Sequence, residues 1–294
     1  MNYRFLGKSD LEVSEISLGC MSLSPAEPES ENLIREAIES GINYFDTADL
    51  YDKGENEKML GRALRADRKK YYIATKVGNR WREDGSGWDW AARKSYILNA
   101  VEESLKRLQT DYIDLYQLHG GMIEDPIDEI VEAFEILKEQ GKIRYYGISS
   151  IRPNVIREYV KRSNIVSVMM QYSLLDRRPE EWLELLQDNN IGVLARGSLA
   201  QGLLVDKKPK PYLDYSEEEV SRASNAVHFV AGEHRTAAQT ALGFVLKNKA
   251  ITSAVVGART PAQLNDVTRP ASLTDREYNF LKDTLRMPLY IDHR

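Results

Sequence analysis

The chain has 294 residues, a formal net charge of −5, a sequence pI near 5.6 and a single cysteine, Cys20. Lysine and arginine are interspersed with aspartate and glutamate, so no basic face is offered to nucleic acid or an anionic membrane. One cysteine excludes an intrachain disulfide and a cysteine-rich zinc site, and no apolar run approaches the roughly 18 residues of a spanning helix.

The opening Met1-Asn2-Tyr3-Arg4-Phe5 lacks a charged and apolar signal pattern, so a soluble cytoplasmic protein is expected. Two short alternating runs, 3–7 and 11–14, flank Lys8-Ser9-Asp10 and predict a β-hairpin. Eight strand signals follow, at 16–19, 42–46, 71–76, 112–119, 143–149, 165–171, 191–196 and 251–257. Helices are predicted over 31–40, stopped by Gly41, over 95–108 on an amphipathic pattern, over 127–140, stopped by Gly141, and from Pro153 onward. Alternating strands and helices build a parallel sheet, and eight strands close one. The fold class is therefore α/β, a (β/α)8 TIM barrel with an N-terminal β-hairpin. No linker interrupts the alternation, so one domain over 1–294 is expected. Two connections are long: 79–93, with Trp81, Trp88 and Trp90, and 202–215, with Lys207-Lys208-Pro209-Lys210-Pro211. Both follow strands and belong on the carboxyl-terminal face as lids or binding loops.

The strand ends point to chemistry. Seven of the eight close on residues unusual for an apolar strand: Asp46, Lys76, His119, Ser149, Gln171, Arg196, and Gly257 followed by Arg259. Barrel closure would gather them on one face, where solvent or a ligand can satisfy them. Tyr51, in the loop after Asp46, carries a phenol that could give up a proton with a cation nearby, and Lys76 could be that cation. The bland alternatives are a structural Asp46–Lys76 ion pair and a His119 that merely ends a strand. The remaining histidines, His228, His234 and His293, fall on predicted helices or the tail, so no histidine-rich metal site is expected at the strand ends. Gly85-Ser86-Gly87 lacks the third glycine of a Rossmann fingerprint and opens no helix after a strand. Thr260-Pro261-Ala262-Gln263 reads as a capping box after the last strand, with Arg259 offering a fork suited to a phosphate monoester.

Several segments resemble the aldo-keto reductases, in particular their bacterial YqkF-type branch: Leu18-Gly19-Cys20-Met21, Asn43-Tyr44-Phe45-Asp46-Thr47-Ala48-Asp49-Leu50-Tyr51, Ile73-Ala74-Thr75-Lys76, Tyr112-Ile113-Asp114-Leu115-Tyr116-Gln117-Leu118-His119, Ile143-Arg144-Tyr145-Tyr146-Gly147-Ile148-Ser149, and Val256-Gly257-Ala258-Arg259-Thr260-Pro261-Ala262-Gln263-Leu264. The resemblance covers nearly the whole chain. It implies a (β/α)8 barrel and hydride transfer between NADPH and a small carbonyl substrate, with a catalytic tetrad at Asp46, Tyr51, Lys76 and His119. It further implies a cofactor site drawn from Gly19, Cys20, Met21, Asp46, Ser149, Ser150, Gln171, Arg196, Ser198, Leu199, Gln201, Gly202, Gly257, Arg259 and Gln263, and substrate contacts from Tyr51, Trp81 and His119. Ser149 and Gln171 would bond the nicotinamide carboxamide, and Leu199, Gln201 and Gly202 would follow the pyrophosphate. Arg196 departs from the family pattern, standing where an aromatic ring commonly stacks on the nicotinamide. So do Ser150 and Val267, each at a position where asparagine is frequent. With only the tail 287–294 after the last predicted helix, the pocket is expected to be open on that side. A nicotinamide-binding regulatory protein on the same barrel, as in potassium-channel β subunits, is the alternative to an enzyme.

Overall fold

A computed structural model describes all 294 residues. The hairpin comes first: β1 (Tyr3–Phe5) pairs antiparallel with β2 (Glu12–Ser14). The remaining chain runs β3 (Ile16–Gly19), α1 (Pro28–Glu39), β4 (Tyr44–Asp46), α2 (Glu55–Leu64), β5 (Tyr72–Val77), β6 (Asn79–Trp81), β7 (Trp88–Trp90), α3 (Lys94–Leu108), β8 (Ile113–Leu118), α4 (Ile127–Glu139), β9 (Ile143–Ser149), α5 (Pro153–Arg162), β10 (Ser167–Gln171), α6 (Glu180–Asp188), β11 (Gly192–Arg196), α7 (Glu217–Ala231), α8 (Ala237–Lys247), β12 (Ile251–Val256), α9 (Pro261–Val267) and α10 (Asp275–Asp283). Eight parallel strands close into a barrel, β3, β4, β5, β8, β9, β10, β11 and β12 in that order, with β12 returning to pair β3.

Alternation along the strands explains the two layers of core. Outward residues such as Ile73, Tyr116, Ile148 and Val193 pack against the surrounding helices in one large apolar cluster. Inward residues Tyr44, Ala74, Leu115, Met169, Leu194 and Val255 form a second cluster that Leu6, Leu11 and Val13 of the hairpin region complete, so the hairpin plugs the amino-terminal end. Gly7 is required at that plug. Its φ is +55°, and a Cβ there would lie 2.4 Å from the Val166 carbonyl oxygen.

Two expectations change. Residues 79–93 are not a plain loop: β6 and β7 pair antiparallel, Trp81 opposite Trp88, about a turn holding Gly85 and Gly87. The helix that the (β/α)8 pattern requires between the second and third barrel strands is α2, ten residues long. His119 and Gly257 stand one residue past their strands, although the His119 backbone N–H still donates to the Val77 carbonyl at 2.7 Å. No helix is long and apolar enough to cross a membrane.

Candidate active site

The polar strand ends converge. Asp46, Lys76, His119, Ser149, Gln171, Arg196 and Gly257 all border one cavity of about 1070 Å³, together with Tyr51. β4 delivers Asp46 at its last residue and β5 delivers Lys76 one residue before its end. The pleat then decides direction: Thr75, one residue earlier, points out of the barrel and donates to Glu57 of α2 at 2.6 Å, so Lys76 points in. Glu57 is itself held by Arg107 of α3 at 2.6 Å, which ties β5 to two helices.

Asp46 is 3% exposed and Lys76 fully buried, so neither charge could stand alone. The Lys76 ammonium has three protons, and each finds an acceptor: Asp46 Oδ1, the Thr47 carbonyl at 2.8 Å and the Tyr51 hydroxyl oxygen at 3.3 Å. Burial works against the ammonium, yet Asp46 and Tyr51 hold its pKa above the ordinary lysine value. Because the Tyr51 oxygen accepts from Lys76, its own proton is free to point elsewhere. The Tyr51 ring meets His119 edge-on at 5.8 Å between centroids. Burial, then the charges of Lys76 and Arg196, push the His119 pKa down to about 3, so its ring is neutral near pH 7. A neutral imidazole can donate one N–H, and its buried Nδ1 has no protein partner.

Beyond the tetrad, Gly19, Met21, Ser149, Ser150, Ser198, Leu199, Gln201 and Gly202 also line the cavity. The Gln171 amide nitrogen donates to Asp176 Oδ2 at 2.9 Å and to the Tyr212 hydroxyl at 3.1 Å, and its oxygen accepts from Arg196 at 3.2 Å. Ala200, Gln201 and Gly202 follow one another at φ of 48°, 59° and 91°, a left-handed run that persists only where surroundings impose it. Gly257 lets β12 approach the loop after β3, since a Cβ would come 2.6 Å from Ser22 Oγ.

Some expected members stand elsewhere. Cys20 is fully buried and outside the cavity wall, between Gly19 and Met21, which do line it. Trp81 is also outside the wall; its indole N–H donates to the Leu50 carbonyl at 3.1 Å and braces the turn that presents Tyr51. Arg259 and Gln263 are exposed at the start of α9, away from the cavity wall. The capping box there is incomplete: Thr260 accepts from the Gln263 N–H at 3.2 Å, but the Gln263 oxygen reaches the Arg259 N–H at 2.9 Å, one residue further back. The pocket is not open at the tail. Leu289, Tyr290, Ile291, Asp292 and His293 fold across as part of the wall, which also brings a second histidine to the cavity. No cluster of three metal-binding side chains forms.

Sequence reasoning overlooked Gln117, whose amide nitrogen donates to Asp46 Oδ2 at 3.2 Å. The signal was present: Gln117 is two residues before His119 on an apolar strand, and a polar side chain on an inward position demands a partner.

The cavity can take a long, polar ligand. Pockets for drug-sized ligands run to about 1,000 Å³, and this one is lined by amide and hydroxyl groups and by an irregular backbone run. Such a donor set fits a dinucleotide. A proton donor backed by an ammonium lies within the same cavity.

The Aldo/keto reductase family model matches residues 15–285. The chain is 51% identical to an uncharacterised oxidoreductase, YqkF, of Bacillus subtilis (strain 168), over the full length of both. Among solved structures, it superposes on the holo form of aldo-keto reductase AKR11C1 from Bacillus halodurans with a TM-score of 0.95 at 47% identity, covering 100% of this chain and 99% of that one. The apo form of the same protein gives a TM-score of 0.85 at 44% identity and the same coverage.

Proposed function

The chain belongs to the aldo/keto reductase family, in its YqkF-type branch, and from that premise we propose that it is an NADPH-dependent oxidoreductase reducing small aldehyde or ketone carbonyls to alcohols. The observation that carries this reading is the contact of 3.3 Å between the Lys76 ammonium and the Tyr51 hydroxyl, with Asp46 behind the ammonium and His119 beside the phenol.

When bound, the reduced nicotinamide supplies the hydride. As negative charge develops on the carbonyl oxygen, Tyr51 releases its proton to that oxygen. Lys76 stabilises the phenolate left behind, and Asp46 keeps the ammonium charged and in place inside the barrel. Neutral His119 directs its one ring N–H at the same oxygen, orienting the carbonyl and spreading the developing charge.

Ser149, Ser150 and Gln171 are proposed to hold the carboxamide end of the cofactor, with the Arg196 guanidinium against the ring. Gly19, Met21, Ser198, Leu199, Gln201, Gly202 and Gly257 would shape the path of the pyrophosphate. Arg259, assisted by Gln263, is proposed to take the 2′-phosphate, which favours NADPH over NADH. The closer match to the holo than to the apo form of the AKR11C1 relative supports a cavity already shaped for a cofactor.

The test follows NADPH absorbance with a panel of aldehydes and diketones. Substrate-dependent consumption is expected. Tight NADPH binding without consumption across the panel would favour a regulatory nicotinamide-binding protein instead.

A further inference from the structure

A side chain outside the tetrad touches the buried ion pair. Gln117 is fully buried on β8, and its Nε2 lies 3.2 Å from Asp46 Oδ2 while Lys76 occupies Oδ1. An ionised carboxylate only accepts, so the amide nitrogen rather than the oxygen must face it. The other end of the amide goes without: Gln117 Oε1 is buried and has no partner. An unpaired buried carbonyl is unfavourable, so this rotamer is held against the residue's own hydrogen-bonding needs and in favour of its neighbour's.

The consequence reaches the phenol. All three Lys76 protons are committed, and the position of Asp46 decides where the ammonium stands relative to Tyr51. No other side-chain donor reaches Asp46 Oδ2.

We propose that Gln117 is a positioning residue for carbonyl reduction, anchoring the second oxygen of Asp46 so that Lys76 stays directed at the Tyr51 hydroxyl. This rests on the reductase reading above. The charged and titratable groups near Asp46 are Lys76 on β5, Arg196 at the end of β11, Cys20 after β3 and Tyr44 on β4 itself, with Tyr51 and His119 across the cavity. Only Lys76 among them bonds the carboxylate.

Two variants test it. Gln117→Met keeps length and volume but removes the donor; kcat should fall at least tenfold while the NADPH dissociation constant stays within twofold. Gln117→Glu differs by one group. Beside a second carboxyl in a buried site its own carboxyl takes up a proton readily, and protonated it can donate to Asp46 as the amide does. Its kcat should be within about threefold of wild type at the acid end and fall as pH rises, with an ionisation absent from the wild-type profile, because the ionised form donates nothing and repels Asp46. If Gln117→Met fails to fold, the pH profile of Gln117→Glu decides alone. Wild-type kcat in Gln117→Met, or a pH-independent loss in Gln117→Glu, overturns the proposal. Absence of turnover in the wild type overturns the reductase reading and this proposal with it.

Discussion

The Lys76 ammonium nitrogen stands 3.3 Å from the Tyr51 hydroxyl and 4.9 Å from the centre of its ring, so the charge addresses the phenol oxygen. If Tyr51 is the proton donor, Tyr51→Phe removes one hydroxyl and leaves the ring, its His119 contact and the cavity shape. General acid catalysis is typically worth about 10² to 10⁴ in rate, so turnover should drop at least about 100-fold, roughly 3 kcal/mol of barrier. NADPH affinity, read by fluorescence titration, should not change. Near-normal turnover would remove Tyr51 from the mechanism.

Lys76→Met tests the ion pair as structure. The variant strands Asp46 in the barrel with only the Gln117 amide as donor. Removing one partner of a buried pair costs about 3–5 kcal/mol, and urea unfolding at pH 7 should show a loss of that order. Asp46→Asn combined with Lys76→Met should recover part of it, since no uncompensated charge remains. A single-variant loss under about 1 kcal/mol would mean that the pair is worth no more than a surface one.

How much of this was legible in the sequence depends on whether the determinant was local. Asp46, Lys76, Ser149, Gln171 and Arg196 end apolar strands, and eight such strands leave closure as the arrangement that covers both edges, so their convergence could be anticipated. Gln117 carries a local signal, a polar side chain at an inward strand position, but not the identity of its partner, which is 71 residues distant and meets it only once the barrel closes. Trp88-Asp89-Trp90 alternates as a strand should, but with Gly85 and Gly87 nearby the stretch was read as loop. The tail has no periodicity. Its course is set by the Glu181 carboxylate, the Asn154 backbone N–H and the Arg178 guanidinium, all more than 100 residues away in sequence.

His119 sets a pH dependence of known sign. Its folded pKa of about 3 lies below the roughly 6.5 of an unfolded chain. Above that upper value both states are neutral and the full stability is present. As pH falls from about 6.5 toward 3, the unfolded chain binds a proton that the folded one refuses, and stability is lost. His119→Gln cannot titrate. Comparing urea midpoints at pH 7, 5 and 4, the decline should be shallower in the variant, and identical slopes would show that His119 does not titrate as assigned. In the same range no ionisation of His119 should enter the pH profile of turnover.

Arg259 is exposed and forms no ion pair, so replacing it removes charge without disturbing packing. If it binds the 2′-phosphate, Arg259→Ala should weaken NADPH at least fivefold and leave NADH unchanged. The loss should shrink at high salt, because an exposed charge pair is screened. An NADPH dissociation constant within twofold of wild type would reject the assignment.

The tail offers a test of the cavity wall that spares the chemistry. Tyr290 packs 4.7 Å from the Arg178 guanidinium, the Asn154 N–H donates to the His293 carbonyl at 2.9 Å, and Arg294 reaches both oxygens of Glu181 at 2.9 and 3.0 Å. Deleting residues 289–294 removes five wall residues, whereas β4, β5, β8 and the Trp81-braced turn still present the tetrad. Contacts made equally in the ground and transition states govern KM rather than kcat. Truncation should therefore raise the carbonyl KM at least fivefold while kcat changes less than threefold. If KM is unchanged, the tail covers the cavity without touching the substrate; if kcat falls with KM unchanged, the tail acts on the positions of Tyr51 and His119, and the assignment of the wall to substrate binding is wrong.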